Sequence, residues 1–164
     1  NKHGIEWLDT SYYQPLPTWH ACPAHTKSDD GYDLFLANGK AALLTHSVNS
    51  ENPWVDEISD LNPYYRYILL HTSAAKSRGI RDEDEVIVES RAGRVRGRVR
   101  VTECVHPDVV GTFGNGGGWA KGRPISKGKG IHSNALVPFD WSMIDPISGQ
   151  IDTCARVKIY RAEG

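Results

Sequence analysis

The sequence predicts a mainly β domain: a closed or nearly closed barrel of six or seven strands with two or three short helices. Three observations lead there. Apolar residues recur at every second position in short runs, as in "VIVES" (86–90), "GRVRGRVRV" (93–101) and "ARVKIYRA" (155–162). That alternation puts one set of side chains on each face of a strand. Clusters of Gly, Asn, Pro and Asp interrupt the chain at short intervals, and no long stretch carries a helical period.

Residues 1–30 are rich in Trp, Tyr, Pro and His. Pro15 and Pro17 exclude a helix across "YYQPLPTW", which reads as an extended arm or interdomain linker. Residues 31–164 then form the folded domain. "YDLFLA" (32–37) is a strand ending in a turn at Asn38-Gly39. In "ENPWVDEISD", Asn52 is placed to cap a short helix, with Pro53 at its first position. "RYILLH" (66–71) is a second strand. "TSAAKSRGI" is a short helix capped by Thr72 or Ser73 and ended by Gly79. "RDEDE" leads into the strand "VIVES", "RAG" turns the chain, and the arginine strand returns. "HPDVVGTF" is a turn and strand, "GNGGGWAKGRPISKGKG" a long loop, and "IDPISGQI" a turn. The closing strand shows Ala155, Val157 and Ile159 on one face.

The alternating arginines, Arg94, Arg96, Arg98 and Arg100, raise the question of a nucleic-acid ribbon. Lys plus Arg is 19 against 20 Asp plus Glu, a net charge of −1. A nucleic-acid domain carries a wide basic field, so the arginines are the solvent face of a strand whose other face is Val95, Val99 and Val101. Gly97 interrupts that apolar face and marks a bend or a close backbone approach.

No apolar run is long enough to span a membrane, and no signal-peptide pattern is present. The chain begins at Asn1 rather than Met, as a fragment or processed chain does. Its location, cytoplasmic or periplasmic, would follow that of a parent protein. Cys22, Cys104 and Cys154 are too few and too scattered for a disulfide framework. "HACPAH" offers His20, Cys22 and His25, which Cys104 and His106 could complete, but zinc sites ordinarily show two tight ligand pairs. The expectation is no metal site.

Catalytic signatures are missing. The glycine loop matches neither GxxxxGK[ST] nor GxGxxG after a strand. There is no GxSxG, no paired-carboxylate site, and no Gly-Ser dipeptide for self-cleavage to a pyruvoyl group. The reading is a binding module.

From Tyr32 onward the ordered segments resemble the C-terminal dinucleotide-binding domain of the molybdopterin oxidoreductases, the dimethyl sulfoxide reductase superfamily. "YDLFLANGKAALLTHS" resembles its first strand and loop, and "ENPWVDEI" its short helix. "HTSAAKSRGIRDEDEVIVESRAGRVRGRVRVTECVHPDVV" resembles its most recognisable run. "GW" at 118–119, "SNAL" at 133–136 and "DPISGQ" at 145–150 resemble its C-terminal loop and closing strand. The likeness covers about four fifths of the chain.

The resemblance implies a six-stranded double-psi β-barrel that helps hold bis(molybdopterin guanine dinucleotide) on molybdenum or tungsten. The metal's ligand would lie in preceding domains or a large subunit, so the chain alone would show no turnover. Asn38, Gly39, Lys40, Thr45, His46 and Ser47 match the loop after the first strand, which presents amides, hydroxyls and a cation to pyrophosphate and pterin. Asn134 matches an Asn whose amide both donates and accepts, as a pterin edge requires. Several members place a Lys near the final strand, where Gln150 or Thr153 stands here. The parent reaction would be an anaerobic redox step, and "PLPTWHACPAH" with the Gly/Lys loop inclines it toward sulfur, arsenic or aromatic-acid chemistry. The competing reading is a double-psi barrel serving as a protein-interaction module without cofactor.

Overall fold

The computed structural model describes residues 13–26, 31–46, 48–114, 116–145 and 147–163. Six strands close a barrel: β1 Leu34–Gly39, β2 Ile68–Leu70, β3 Glu85–Glu89, β4 Arg94–Val101, β5 Val109–Phe113 and β6 Arg156–Arg161, in the order β1-β5-β2-β4-β3-β6. This is the expected double-psi barrel. The pairs β1–β5 and β2–β4 are parallel and the others antiparallel. Among the described residues, three short helices accompany it: α1 Pro23–Thr26, α2 Pro53–Leu61 and α3 Thr72–Ser77.

Alternation does fill the interior. Leu34, Leu36, Ile68, Leu70, Val86, Val88, Val99, Val110, Val157 and Ile159 form one buried cluster, each such side chain stabilising the fold by about 1.5–3 kcal/mol. Ile131 and Leu136, the latter from a 3-10 turn at Ser133–Leu136, close the cluster from one end. The missing side chain of Gly97 admits this plug. A Cβ there would stand 2.6 Å from Ile131 Cγ2 and 3.1 Å from Ile68 Cδ1. The close approach at Gly97 comes from side chains, those of Ile131 and Ile68, rather than from the backbone expected there.

The arginines of β4 face outward, and Arg96, Arg98 and Arg100 meet acids. Arg96 pairs with Glu85 at 2.6 Å, and Arg98 with Glu83 at 3.7 Å. Arg100 pairs with Asp82 and Glu83, each at 2.7 Å, and lies over the Tyr67 ring. Among the described residues, no helix is long and apolar enough to cross a membrane.

Several local expectations shift. The first strand is β1 at Leu34–Gly39 rather than 32–37, and it absorbs the predicted turn. Parallel pairing with β5 sets Asn38 opposite Thr112 and Gly39 opposite Phe113, so long-range hydrogen bonds override local turn preference. The second strand shrinks to Ile68–Leu70. His71, not Thr72 or Ser73, caps α3, its Nδ1 accepting from Ser73 N at 3.1 Å. Gly79 ends α3 at φ 64 as expected. Its N–H donates to Lys76 O and that of Ile80 to Ala75 O, the paired bonds of a left-handed helix stop. The arm is not extended throughout, since Pro23 starts the turn of α1.

Candidate functional site

Strand direction fixes which loops share an end. β1 and β5 run the same way, so Gly39 and Phe113 finish side by side. β6 runs against β1 and starts at that end; β3 runs against β6 and finishes there. β4 and β2 both start there. Segments 40–67, 90–93 and 114–155 therefore leave one end of the barrel. Segments 71–84 and 102–108 occupy the other. Asn38, Gly39, Lys40, Thr45, His46, Asn134 and Gln150 all lie at the first end. Ser47 falls outside the described residues.

The centre of that end is a tight backbone junction. Asn38 Oδ1 accepts from Thr112 Oγ1 at 3.2 Å, and Gly114 N donates to Gly39 O at 3.1 Å. A Cβ on Gly114 would meet the Asn38 amide at 2.7 Å. The chain then lies flat against residues 129–132. Gly117 N donates to Lys129 O at 2.6 Å, and a Cβ on Gly117, at φ 69, would overlap the Ile131–His132 peptide. Only glycine fits there. His132 leads into the 3-10 turn that carries exposed Asn134 and buried Ser133. Among the described residues, Ser133 Oγ is the one buried side-chain polar atom with no hydrogen-bond partner, an arrangement that costs about 1–3 kcal/mol unless something pairs with it.

The 40–49 loop is braced by residues that no motif in the sequence singles out. Asn49 Oδ1 accepts from Thr45 N at 3.0 Å, and Asn49 Nδ2 donates to Leu43 O at 2.9 Å. Ala42 N donates to Tyr65 Oη at 3.2 Å, and the Tyr65 ring stands 5.2 Å from that of Phe113. Within this frame Lys40, Thr45 and His46 are exposed. His46 has φ 44, left-handed and uncommon for a residue with a side chain. An Asn four residues after Thr45 was the signal available for the brace, since Asn side chains close such loops.

The glycine loop is tied down as well. Glu51 accepts from Ile125 N and Ser126 N, each at 3.0 Å, and from Ser126 Oγ at 2.5 Å. Partial loss of water pushes the Glu51 carboxyl up. The Ser126 hydroxyl, these two amides and Arg123 outweigh that and hold it below its usual value. Lys129 reaches Asp56 and, at 3.1 Å, Asp60. Arg66 also joins both acids, at 2.7 and 2.8 Å. The loop is thus an ordered platform, and Lys129 is committed to structure. Residues 119–130 contain Lys121, Arg123, Lys127 and Lys129 and no acid.

Gln150 is placed apart. It lines a hollow of about 490 Å³ with His20, Cys22, Asp152 and Thr153, at the same end but not in the Asn38–Gly114 junction. A second hollow, about 270 Å³, lies between α1, Ser90, Pro138 and the start of β6.

Comparison with known proteins converges on one family. The family described as "Molydopterin dinucleotide binding domain" matches residues 34–154. The thiosulfate reductase molybdopterin-containing subunit PhsA of Salmonella typhimurium is 27% identical over 130 residues, which are 79% of this chain and 16% of that protein. A sulfite dehydrogenase subunit from Allochromatium vinosum is 29% identical over 170 residues, 93% of this chain and 17% of that protein. The chain thus spans about a sixth of these relatives' length. Acetylene hydratase from Pelobacter acetylenicus shares the fold, with TM-score 0.67 and 22% identity over 90% of this chain and 21% of that one.

Proposed function

The chain belongs to the molydopterin dinucleotide binding domain family, and from that premise we propose that its loop-bearing end holds bis(molybdopterin guanine dinucleotide). The molybdenum or tungsten is ligated by another part of a longer oxidoreductase, which runs an anaerobic redox reaction. When bound, the metal–pterin group supplies the electron-transfer chemistry; this chain binds and orients it.

The residues present fit such a group. Pyrophosphate calls for backbone amides and cations, and pterin and guanine edges call for groups that donate and accept. Gly114, Gly116 and Gly117 bring bare backbone to the rim, and Lys40, Lys121 and Lys127 are exposed cations near it in sequence. Asn134 offers an amide to a ring edge, beside the unpartnered hydroxyl of Ser133. Thr45 and His46 add a hydroxyl and an imidazole on the braced loop. Gln150, lining a different hollow, is the outermost member of the set.

Helix α2 supports a second body over this end. Its buried residues are polar, Asp56 and Ser59, fixed by Arg66, Lys129 and the Val55 carbonyl. Its apolar residues Trp54, Ile58 and Leu61 point out, with Trp54 77% and Leu61 81% exposed. An apolar stripe turned to solvent marks a contact face. Covering it would also shut water out of a cofactor seated on the adjacent rim.

One observation carries the reading: loops far apart in sequence converge at Asn38, Gly114 and Gly117 into a glycine-walled rim ending at Asn134. The test is Asn134→Ala in the full enzyme. Losing one or two hydrogen bonds to a buried ring costs about 1–3 kcal/mol of binding, so metal and pterin content per chain should fall while the melting temperature of the isolated chain holds. Unchanged content would remove Asn134 from the site.

A further inference from the structure

Outside that rim, a second cluster is assembled from the two ends of the chain. Cys22, His25 and Cys154 each offer one ligand atom, and these atoms all lie within 4.8 Å of one another. Cys22 immediately precedes α1 and His25 lies on it three residues later, the turn closed by His25 N donating to Cys22 O at 2.9 Å. That spacing sends both side chains to one side. Cys154 arrives just before β6. Its N–H donates to Asp152 Oδ1 at 2.9 Å, and the next residue, Ala155, accepts from Leu36 N at 2.8 Å.

Contacts that owe nothing to a bound ion fix both segments. The His25 ring stands edge-on to Phe35 with centroids 4.9 Å apart. The Arg156 guanidinium covers Phe35 at 3.9 Å, and its Nε donates to Ala24 O at 2.9 Å. The three donors are therefore held near each other by ordinary packing before any ligand arrives. Cys104 and His106 belong to segment 102–108 at the other end of the barrel and do not complete the group.

We propose that Cys22, His25 and Cys154 hold one Zn²⁺, with water in the fourth position, and that the ion clasps α1 to the start of β6. Two thiolates and an imidazole are a soft set that suits zinc and excludes magnesium and calcium. Two thiolates also cancel the charge of the ion, which suits a half-buried place. Zinc bonds of about 2.0–2.3 Å need ligand atoms roughly 3.5 Å apart, so modest side-chain rotation closes the site. Exposed His25 leaves an entry path. A reactive-thiol role fits poorly. Burial, then the adjacent Cys22, push the Cys154 thiol up to about 12, so without a cation it stays protonated and weakly nucleophilic. Zinc binding displaces one proton from each thiol, with no redox partner required.

The reduced 164-residue chain, titrated with Co²⁺ as a spectroscopic stand-in for Zn²⁺, tests this. One Co²⁺ per chain with sulfur-to-metal charge-transfer absorption, displaced by Zn²⁺, is expected. Cys154→Ser should lose most of that absorption, and Cys104→Ser should keep it. His25→Ala removes an exposed residue, so the fold, followed by circular dichroism, should persist. Its Zn²⁺ affinity should fall at least about tenfold, the loss typical of even an outer partner of a metal ligand. Absence of charge-transfer absorption, or unchanged affinity in His25→Ala, would overturn the site. So would a reduced chain that takes up no metal and instead loses two hydrogens on mild oxidation, which would make Cys22 and Cys154 a disulfide pair.

Discussion

The two ends of the barrel share one core and differ in nearly everything else. At the loop-bearing end the connections are long, 40–67 and 114–155, with glycines pressed against other backbone and apolar side chains turned outward. At the opposite end, 71–84 and 102–108 are short, rich in Asp and Glu, and none of the large exposed apolar residues belongs to them. Gly117 and Gly79 make the difference concrete. Both have positive φ, 69 and 64. A Cβ on Gly117 would collide with the Ile131–His132 peptide, whereas around Gly79 nothing lies within 4 Å. One end uses glycine to bring two backbones together; the other uses it only to stop a helix. Binding surfaces need the first kind, because a ligand can approach only backbone that side chains leave bare.

The comparison predicts unequal responses to the same substitution. Gly117→Ala should cost on the order of 3 kcal/mol, combining strain with backbone overlap, and should abolish cofactor retention. Gly79→Ala should cost only about 1 kcal/mol, the penalty of the left-handed conformation itself, with cofactor content unchanged. Equal losses of stability in thermal melts would break the contrast.

Acid should loosen the loop-bearing end through Glu51 and Asp60. Water lost around Asp60 pushes its carboxyl up, but Arg66 and Lys129 hold it below its usual value; Glu51 is likewise held below its usual value. Depressed carboxyls contribute stability that is complete above their unfolded values and is lost as pH falls through the folded ones. The amides of Ile125 and Ser126 should thus keep their hydrogen-exchange protection above about pH 4.5 and lose it below. In Glu51→Gln their protection should be weaker and nearly independent of pH there. A wild-type loop whose protection ignores pH between about 5 and 3 would contradict the brace.

The smallest effect belongs to the wall between the ends. Changing Arg96 and Arg98 to Gln removes two exposed ion pairs, worth about 0–1 kcal/mol each. Stability should barely move, and neither protein should bind DNA or RNA tightly near physiological salt, as the net charge of −1 implies. Tight binding lost in the double variant would turn the strand into a nucleic-acid site.

Elements whose pattern is local were legible in the sequence. Val86 and Val88, Val99, and Ala155 with Val157 and Ile159 announced their strands by period, and Asn52-Pro53 announced α2 by its cap. The limits of β1 were not legible, because Asn38-Gly39 carries turn chemistry and only pairing with Thr112 and Phe113, far along the chain, makes it strand. The rim was half legible. Resemblance supplied Asn38 and Asn134, but the seating of Gly117 on residues 131–132 and the grip of Glu51 on Ser126 are tertiary facts with no local signature. For the same reason Cys154 could not be joined to Cys22 and His25 from spacing.

The central claim is that the loop-bearing end is the dinucleotide surface. Titrating the ¹⁵N-labelled chain with guanosine diphosphate and following its backbone amides tests it most directly. Affinity should be weak, because half of a sandwiched site leaves much of the ligand in water. Shifts should gather at Gly39, Lys40, Gly114, Gly116, Gly117 and Asn134, and leave residues 79–84 and 103–108 unmoved. Shifts concentrated at that opposite end, or none at millimolar nucleotide, would contradict the account.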